Sequence, residues 1–254
     1  MSVTCAGLFC ALLFLATVIN YIDRTTLSVL EPELRRTIGW NDLQWGYIGA
    51  SFMLAYAIGF PFAGWVMDRL GTRLGFTIFL IVWSLAAASH AFARTLGGFL
   101  IARFALGLGE SGNYPAAIKT IAEWFPQRER ALATGIINAG TNVGATITPI
   151  VIPVIYASHG WEAAFLATGL GGLVWVLLWW PIYRRPREHS WLSTEELAFI
   201  ERDPPDPPGR ISWGQLLGYR QVWAFSIAKF LTDSVWWFYC HDDGCKTLAF
   251  RRIL

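Results

Sequence analysis

Charged residues are scarce in this sequence of 254 residues. Asp, Glu, Lys and Arg together make up 15% of it, whereas a soluble domain usually contains ~25% of these residues. Hydrophobic residues make up 54% of the chain, and its mean hydropathy is +0.42. This balance argues against a soluble domain, and we expect no nucleic-acid partner.

Cysteine is also rare, with four residues in the whole chain. One pair lies in an apolar run and the other near the end of the sequence: Cys5, Cys10, Cys240 and Cys245. These spacings favour neither a disulfide framework nor a tetrahedral metal site. The sequence also lacks a nucleophile–base pair and a nucleotide-binding loop. We therefore expect no enzyme activity, no cofactor and no metal.

One glycine pattern formally matches a nucleotide motif. Gly107, Gly109 and Gly112 have the G-x-G-x-x-G spacing, but a dinucleotide site requires a preceding strand within a βαβ unit. Here the motif lies inside a hydrophobic run, where small residues allow two membrane helices to approach closely. The glycines therefore indicate helix packing.

Long apolar runs are what the sequence does contain. They approach or exceed the ~20 residues with which a helix crosses a bilayer, and they cover residues 3–30, 45–67, 74–92, 96–125, 131–157, 163–183 and 222–239. We predict an all-α membrane protein in the lipid bilayer. Its expected parts are a six-helix N-terminal bundle (1–183), a cytoplasmic inter-bundle loop (184–220), a partial seventh span (221–239) and an anomalous tail (240–254).

Arginine is distributed unevenly between the two sides of the predicted membrane. The connections after the second, fourth and sixth runs contain Arg69, Arg73, Arg128, Arg130, Arg184, Arg185, Arg187, Arg202, Arg210 and Arg220. The opposite connections contain Arg35, Arg36 and Arg94. Because basic loops stay on the cytoplasmic side, we expect a multi-pass protein of the bacterial inner membrane with a cytoplasmic N-terminus.

Asp23 and Arg24 interrupt the first apolar run. A charged group inside a membrane span costs roughly 2.5 kcal/mol or more, so such residues are functional candidates. Alternatively, both charges flank the end of a span and reach the headgroups. One half of a transporter often consists of two three-helix repeats. If the six predicted spans form such a half, the first and fourth spans are equivalent helices. The fourth span carries Arg103, Glu110 and Lys119, and this repetition favours the functional interpretation.

Arg103 and Glu110 share one face of the fourth span, seven residues apart. Two helical turns separate them, so we expect them in different layers and not directly paired. Glu110 is then the best candidate for a carboxylate that gains and loses a proton. The alternative is a permanently paired structural glutamate.

The connection between the second and third spans reads Gly64-Trp65-Val66-Met67-Asp68-Arg69-Leu70-Gly71-Thr72-Arg73. Glycines permit a tight turn here, and Asp68 can accept hydrogen bonds from arginines or helix N-termini. The pattern resembles the Gly-x-x-x-Asp-Arg-x-Gly-x-Arg signature of the major facilitator superfamily. That resemblance implies a gating latch that holds the cytoplasmic side closed without touching substrate.

Polar side chains also occur on other spans. Asn138 and Asn142 on the fifth span have two open interpretations, since their amides suit either a polyol or a neighbouring helix. On the seventh span, Lys229 is either a second anion-binding charge or the partner of Asp233 at i, i+4.

The chain resembles the anion:cation symporter branch of the major facilitator superfamily, and most closely its bacterial hexuronate and sugar-acid transporters. The resemblance rests on Asn20-Tyr21-Ile22-Asp23-Arg24, the Gly64–Arg73 connection, Glu110 within residues 103–115, and residues 123–131. It implies that Arg24 binds the substrate carboxylate and that Asp23 and Glu110 handle protons. Tyr21 and Tyr56 match positions that contact substrate. Resembling antiporters carry a Gly-Pro pair on the fifth span. Here Gly144 is followed by Ala145, and the absence of this pair favours symport.

We therefore expect proton-coupled symport of a hexuronate or related sugar acid, with a small organic anion and protons as partners. The resembling family has twelve spans, so we expect an incomplete fragment without its C-terminal bundle and a tail that reflects a frameshift or truncation. Alternatives are a non-transporting membrane half-bundle with an assembly or receptor-like role, or a transporter of another carboxylate, such as an aldonate or aromatic acid.

Overall fold

Helices make up the regular structure of the described residues, which are 5–203 and 213–242 of this computed structural model, and no β-strand occurs among them. The first compact unit, Met1–Asp203, contains α1 (Cys5–Ile38), α2 (Asp42–Ser89), α3 (Leu96–Glu110), α4 (Asn113–Trp124), α5 (Gln127–Ile182) and α6 (Thr194–Ile200). The second unit, Pro204–Leu254, contains α7 (Trp213–Leu217) and α8 (Arg220–Asp242).

Six membrane spans arise from the first five helices. Gly71 and Gly160 have φ values of +78° and +83°, a left-handed conformation that glycine adopts without steric cost. Each glycine divides a long helix into two arms, so α2 provides the second and third spans and α5 the fifth and sixth. By length and composition, Cys5–Ile38, Asp42–Phe92 and Gln127–Ile182 can cross a membrane. The predicted six-helix bundle is confirmed.

Side-chain caps define two of the helix starts. Asn41 Oδ1 accepts a hydrogen bond from the Gln44 amide at 2.8 Å, and Gln44 Oε1 accepts one from the Asn41 amide at 3.1 Å. This reciprocal capping box satisfies two amides that the first turn of α2 leaves free. Thr95 caps α3 in a simpler way, by accepting from the Gly98 amide at 3.2 Å.

The fourth span is broken, although the sequence predicts one continuous run over residues 96–125. α3 ends at Glu110 and α4 begins at Asn113, with Ser111 and Gly112 in a turn between them. The turn packs tightly, because a Cβ atom at Gly112 would collide with the ring of Phe79. The break lies directly beside the buried carboxylate of Glu110.

Two apolar clusters stabilise opposite ends of the bundle. Phe9, Phe76 and Trp124 belong to the first, and Leu30 and Phe99 to the second. α1 packs along α5, while α2 packs against α3 and α4. Along α1, the buried residues Thr17, Asn20, Asp23 and Thr26 occupy the stretch between the two clusters.

In the second unit, α8 covers the residues predicted as a partial seventh span. The side chain of Lys229 is exposed and has further contacts. The side chain of Asp233, and with it the predicted i, i+4 pair, lies outside the described part of the chain. Residues 243–254 of the predicted tail also lie outside it.

Candidate functional site

A layer of buried polar side chains crosses the bundle where the first and fourth spans meet. α1 contributes Asn20 and Asp23, α3 contributes Arg103 and Glu110, and α4 contributes Asn113. Each of these side chains is at most 7% exposed. One guanidinium group and two carboxylates therefore lie together in the buried interior of the bundle.

Arg24 and Glu110 form an ion pair across the first and fourth spans. Arg24 Nε donates to Glu110 Oε2 at 2.8 Å, and the two side chains are 14% and 0% exposed. A charge-assisted hydrogen bond of this length is strong. Glu110 Oε1 is buried and has no hydrogen-bond partner among the described residues. The pair thus leaves one carboxylate oxygen open to accept a proton.

Three aromatic rings surround the Arg24 guanidinium. Its Cζ atom lies 5.0 Å from the ring centroids of Tyr21, Phe52 and Tyr56. A cation attracts the face of an aromatic ring within about 6 Å, and more strongly where water is excluded. Tyr21 comes from α1 and the other two rings from the first arm of α2, so two spans hold the guanidinium in place.

Arg103 lies two helical turns before Glu110 on α3. Its Nη2 atom donates to the backbone carbonyl of Arg24 at 3.1 Å, and its Cζ atom lies 5.7 Å from the ring centroid of Phe52. Phe52 is therefore close to both guanidinium groups. Within the described residues, Arg103 has no carboxylate within ion-pair distance.

Asp23 is 2% exposed, and neither carboxylate oxygen has a hydrogen-bond partner among the described residues. Trp83 in the second arm of α2 and Thr168 in the second arm of α5 face it. The adjacent residues Asp23 and Arg24 thus point to different helices, because successive residues of an α-helix are about 100° apart.

The fifth span places two amides on one exposed helix face. Asn138 and Asn142 are exposed and stand four residues apart in the first arm of α5. Two residues further on, a Cβ atom at Gly144 would lie 2.8 Å from Tyr21 Cβ, so this arm runs closely beside the start of the Asp23–Arg24 region. The first and fifth spans are also joined by a 2.9 Å hydrogen bond from Thr25 Oγ1 to Thr148 Oγ1.

The glycine-rich connection around Gly71 lies apart from the polar layer. Asp68 pairs with Lys119 Nζ of α4 at 2.8 Å, and Arg73 donates to the Trp180 carbonyl of α5 through Nε at 3.0 Å and Nη2 at 2.5 Å. Arg69 stacks on Trp65, with Cζ 4.6 Å from the ring centroid. Asp68 and Arg73 therefore connect spans at one end of the bundle.

Two residues of the site were not among the sequence candidates. The ring centroid of Phe52 lies 5.0 Å from Arg24 Cζ and 5.7 Å from Arg103 Cζ, and Trp83 lies close to Asp23. Aromatic residues are common in membrane spans, and the sequence contains 17 Phe and 14 Trp. Nothing in the local pattern distinguishes these two from the rest. Among the described residues, no group of three His, Cys, Asp or Glu side chains could hold a metal ion.

Comparison with known proteins identifies relatives of this chain. The family model described as Major Facilitator Superfamily matches residues 13–240. A galacturonate transporter from Dickeya chrysanthemi is 36% identical over 89% of the chain and 67% of its own length. A hexuronate transporter from Escherichia coli (strain K12) is 33% identical over 89% of the chain, which spans about half (54%) of that relative.

A solved structure has the same fold. The crystal structure of a bacterial homolog to the human lysosomal transporter Spinster superposes with a TM-score of 0.64. The match covers 85% of this chain and 48% of that protein, at 24% sequence identity. This similarity concerns the helical architecture of the bundle.

Proposed function

The chain belongs to the Major Facilitator Superfamily, and on that basis we propose that it takes part in proton-coupled symport of an organic anion, with a hexuronate or a related sugar acid as the substrate. The relatives named galacturonate and hexuronate transporters support this substrate class. The observation that carries the proposal is the buried Arg24–Glu110 ion pair, which joins the first and fourth spans inside an aromatic surround.

Arg24 is the proposed anion-binding residue. Its guanidinium presents five N–H donors in a planar fork, and the bond from Nε to Glu110 leaves the others available for a ligand. A carboxylate can accept two parallel hydrogen bonds from such a fork. The rings of Tyr21 and Tyr56 hold the fork in place, and the amides of Asn138 and Asn142 are proposed to bind substrate hydroxyls.

Glu110 is proposed to alternate with the substrate as the partner of Arg24. Removing one partner of a buried ion pair costs about 3–5 kcal/mol, so the guanidinium requires an anion at every stage. When Glu110 gains a proton at Oε1, its attraction for Arg24 falls, and the substrate carboxylate restores the lost charge. When the substrate leaves, Glu110 releases the proton and pairs with Arg24 again. This exchange links anion binding to proton binding.

Asp23 is proposed as a second proton-binding group, because it is a buried carboxylate with both oxygens unpaired among the described residues. Gly64, Asp68, Arg69, Gly71 and Arg73 are proposed to form a gating latch. The ion pair of Asp68 with Lys119 and the bonds of Arg73 to Trp180 support it, since they join spans at one end of the bundle.

The six-helix bundle is proposed to supply one wall of the substrate cavity. The chain spans 54% of the length of the hexuronate transporter from Escherichia coli, and substrate sites of such transporters lie at the interface of structural repeats. We propose that a second bundle supplies the other wall, in the bacterial inner membrane. The excess of arginine in the even-numbered connections supports a cytoplasmic N-terminus.

Calorimetric titration of the purified chain with galacturonate tests the proposal. The Arg24→Lys variant keeps the positive charge but loses the planar fork, and we expect its affinity to fall by about tenfold or more, which corresponds to about 1.4 kcal/mol. Arg36→Lys is the matched control, because Arg36 is exposed and pairs with Glu33 on the same helix. An unchanged affinity in Arg24→Lys would exclude Arg24 as the binding residue.

A further inference from the structure

Three arginines converge where the connection at Gly71 meets the end of the sixth span. Arg73 donates to the Trp180 carbonyl through Nε at 3.0 Å and Nη2 at 2.5 Å, and Arg184 donates to the same carbonyl through Nη1 at 3.2 Å. Arg185 Nη2 lies 3.4 Å from the position that a Cβ atom at Gly71 would take. We name Arg73, Arg184 and Arg185 the arginine cluster.

The positive charge of the arginine cluster is not neutralised within the described part of the chain. None of its three guanidinium groups has a carboxylate within ion-pair distance there. Glu188 acts on Arg73 from a greater distance, and Asp68 of the same connection pairs with Lys119 instead. Like charges this close repel each other, so a bound anion would stabilise the cluster.

The end of α5 explains one of these charges but not all three. The last carbonyl groups of a helix lack intrahelical donors and attract cations. A backbone carbonyl has two lone pairs, and two N–H groups of Arg73 already bind that of Trp180. Arg184 adds a further donor, and the side chain of Arg185 has no hydrogen-bond partner among the described residues. The cluster therefore has N–H groups to spare.

The arginine cluster lies at the level expected for the membrane surface. The second arm of α5 extends from Gly160 to Ile182, and at 1.5 Å per residue it is about 33 Å long. The hydrocarbon core of a bilayer is ~30 Å thick, so the cluster lies at the end of the apolar span. Trp180 is exposed there, with its ring centroid 4.3 Å from Arg73 Cζ. Tryptophan is enriched at this headgroup level.

Exposed apolar side chains extend from the cluster along the third and sixth spans. In the second arm of α2 they are Leu74, Ile78, Val82 and Leu85, and in the second arm of α5 they are Leu170, Val174, Leu177 and Leu178. Within each set the positions recur every three or four residues, so each set occupies one helix face. Such exposed apolar surfaces mark sites of membrane contact. The arginine cluster thus lies at the headgroup end of a surface that suits acyl chains.

We propose that the arginine cluster binds the phosphate headgroup of an anionic phospholipid, whose acyl chains lie against the exposed faces of the third and sixth spans. A guanidinium group can bind two phosphate oxygens in parallel, and basic pockets between membrane helices bind anionic headgroups. A zwitterionic headgroup also carries a phosphate, but the three positive charges repel its ammonium group. This site goes beyond the proposed function, because it uses neither Arg24 nor Glu110.

Native mass spectrometry of the purified chain in detergent tests the proposal by counting the phospholipid molecules that remain bound. The probes are phosphatidylglycerol and phosphatidylcholine with the same acyl chains, at equal concentrations. We expect phosphatidylglycerol to bind at least about tenfold more tightly, because each basic residue near the membrane surface favours anionic lipid. Equal retention of the two lipids would overturn the proposal.

Arg185→Gln removes one charge of the cluster without removing a hydrogen bond or ion pair of the described chain. It should weaken phosphatidylglycerol binding about fivefold, the loss expected for one basic residue beside an anionic headgroup. Arg184→Gln should cause a similar loss, and neither variant should change phosphatidylcholine binding. Phosphatidylglycerol binding that is unchanged in both variants contradicts a headgroup site at the cluster.

Arg187→Gln is the matched control, because Arg187 lies in the same connection but pairs with Glu201 at 2.6 Å. The variant removes the same charge, and it should bind phosphatidylglycerol as the unmodified chain does. An equal loss in Arg187→Gln and Arg185→Gln would mean that the lipid responds to the net charge of the connection, and would overturn the site.

Inorganic phosphate distinguishes a lipid site from a site for a free anion. It offers the same oxygens but no acyl chains, so at a concentration equal to that of the lipid it should leave phosphatidylglycerol bound. Displacement of the lipid under these conditions would assign the cluster to free phosphate and overturn the proposal.

Discussion

At the scale of single residues, the Arg24–Glu110 pair is central to the proposed chemistry, and the loss of either partner alone should be costly. The Glu110 side chain is 0% exposed and that of Arg24 14%, so neither charge is compensated by bulk water. In such an environment each partner requires the other, and their attraction is much larger than that of an exposed pair.

We predict that Glu110→Ala lowers the free energy of unfolding by about 3–5 kcal/mol, because it leaves the Arg24 guanidinium buried without an anion. The double variant Arg24→Leu, Glu110→Leu should recover most of this loss, since it removes both charges. Denaturant titration followed by circular dichroism measures the difference.

Glu162→Ala serves as the control for that measurement. Glu162 pairs with Arg94 at 3.3 Å, but the two side chains are 40% and 58% exposed. Exposed pairs contribute about 0–1 kcal/mol, so this variant should unfold almost as the unmodified chain does. Equal losses in Glu110→Ala and Glu162→Ala would show that the Arg24–Glu110 pair has no special role.

The sequence predicted the charged candidates but not their partners. The spacing of Arg103 and Glu110 correctly predicted that the two side chains do not pair, because this spacing depends on one helix only. The pairing of Arg24 with Glu110 depends on which faces of the first and fourth spans meet, and no local pattern contains that information. Phe52 and Trp83 were missed for the same reason, since their importance lies in what they face across a helix interface.

At the scale of helices, close approach of the second and third spans to the fourth positions the site. A Cβ atom at Gly107 would lie 2.5 Å from the Phe52 carbonyl oxygen, and one at Gly109 would lie 2.5 Å from the Trp83 amide nitrogen. Contacts this short require the glycine, so α3 can bring Glu110 to Arg24 only with small residues at its interface.

Gly107→Ala should therefore destabilise the bundle and weaken galacturonate binding, because the added methyl group pushes α3 away from α2. Gly135→Ala is the matched control: Gly135 is also helical, and a Cβ atom there has no neighbour within 4 Å. That control should be as stable as the unmodified chain or slightly more stable, as alanine favours helices by about 0.5–1 kcal/mol. Denaturant titration of both variants distinguishes packing from helix propensity.

The end of the sixth span is fixed by a polar contact. Tyr183 directly follows α5, and its hydroxyl donates to Glu123 Oε2 of α4, while Thr72 Oγ1 donates to Glu123 Oε1 at 3.0 Å. Burial and the negative charge of Glu123 raise the pKa of Tyr183. The contact thus joins three spans beside the glycine-rich connection.

Stability should fall as the pH rises above about 10, the pKa of an unfolded tyrosine. The raised pKa in the folded chain means that the folded state retains the phenol proton over a pH range in which the unfolded state has lost it. Tyr183→Phe should be less stable at neutral pH by about 1–3 kcal/mol, since Glu123 loses a donor, and should lose part of the alkaline dependence. An identical alkaline dependence in both proteins would contradict this explanation.

The lengths of the apolar runs were sufficient to predict the spans but not their breaks. The turn at Gly71 could be predicted from a glycine within a polar, basic connection. The break between α3 and α4 could not, because Ser111 and Gly112 lie in a run that remains apolar overall. Its cause is tertiary, since the ring of Phe79 occupies the space beside Gly112.

At the scale of the whole molecule, the chain spans 67% of one relative and 54% of another. Alternating access requires one bundle to move against another around a shared site. We predict that the purified 254-residue chain binds galacturonate but does not accumulate it in liposomes with an imposed pH gradient. Accumulation that is abolished by Arg24→Ala would show that this chain transports without a second bundle.

Counting the protons taken up when galacturonate binds tests the exchange at Arg24 most directly. In a weakly buffered solution of the purified chain, substrate that replaces Glu110 at Arg24 should cause proton uptake, because the displaced carboxylate is buried and becomes protonated. Glu110→Gln should still bind galacturonate while this uptake is lost. Binding without proton uptake in the unmodified chain, or the same uptake in Glu110→Gln, would contradict the proposed coupling of anion and proton.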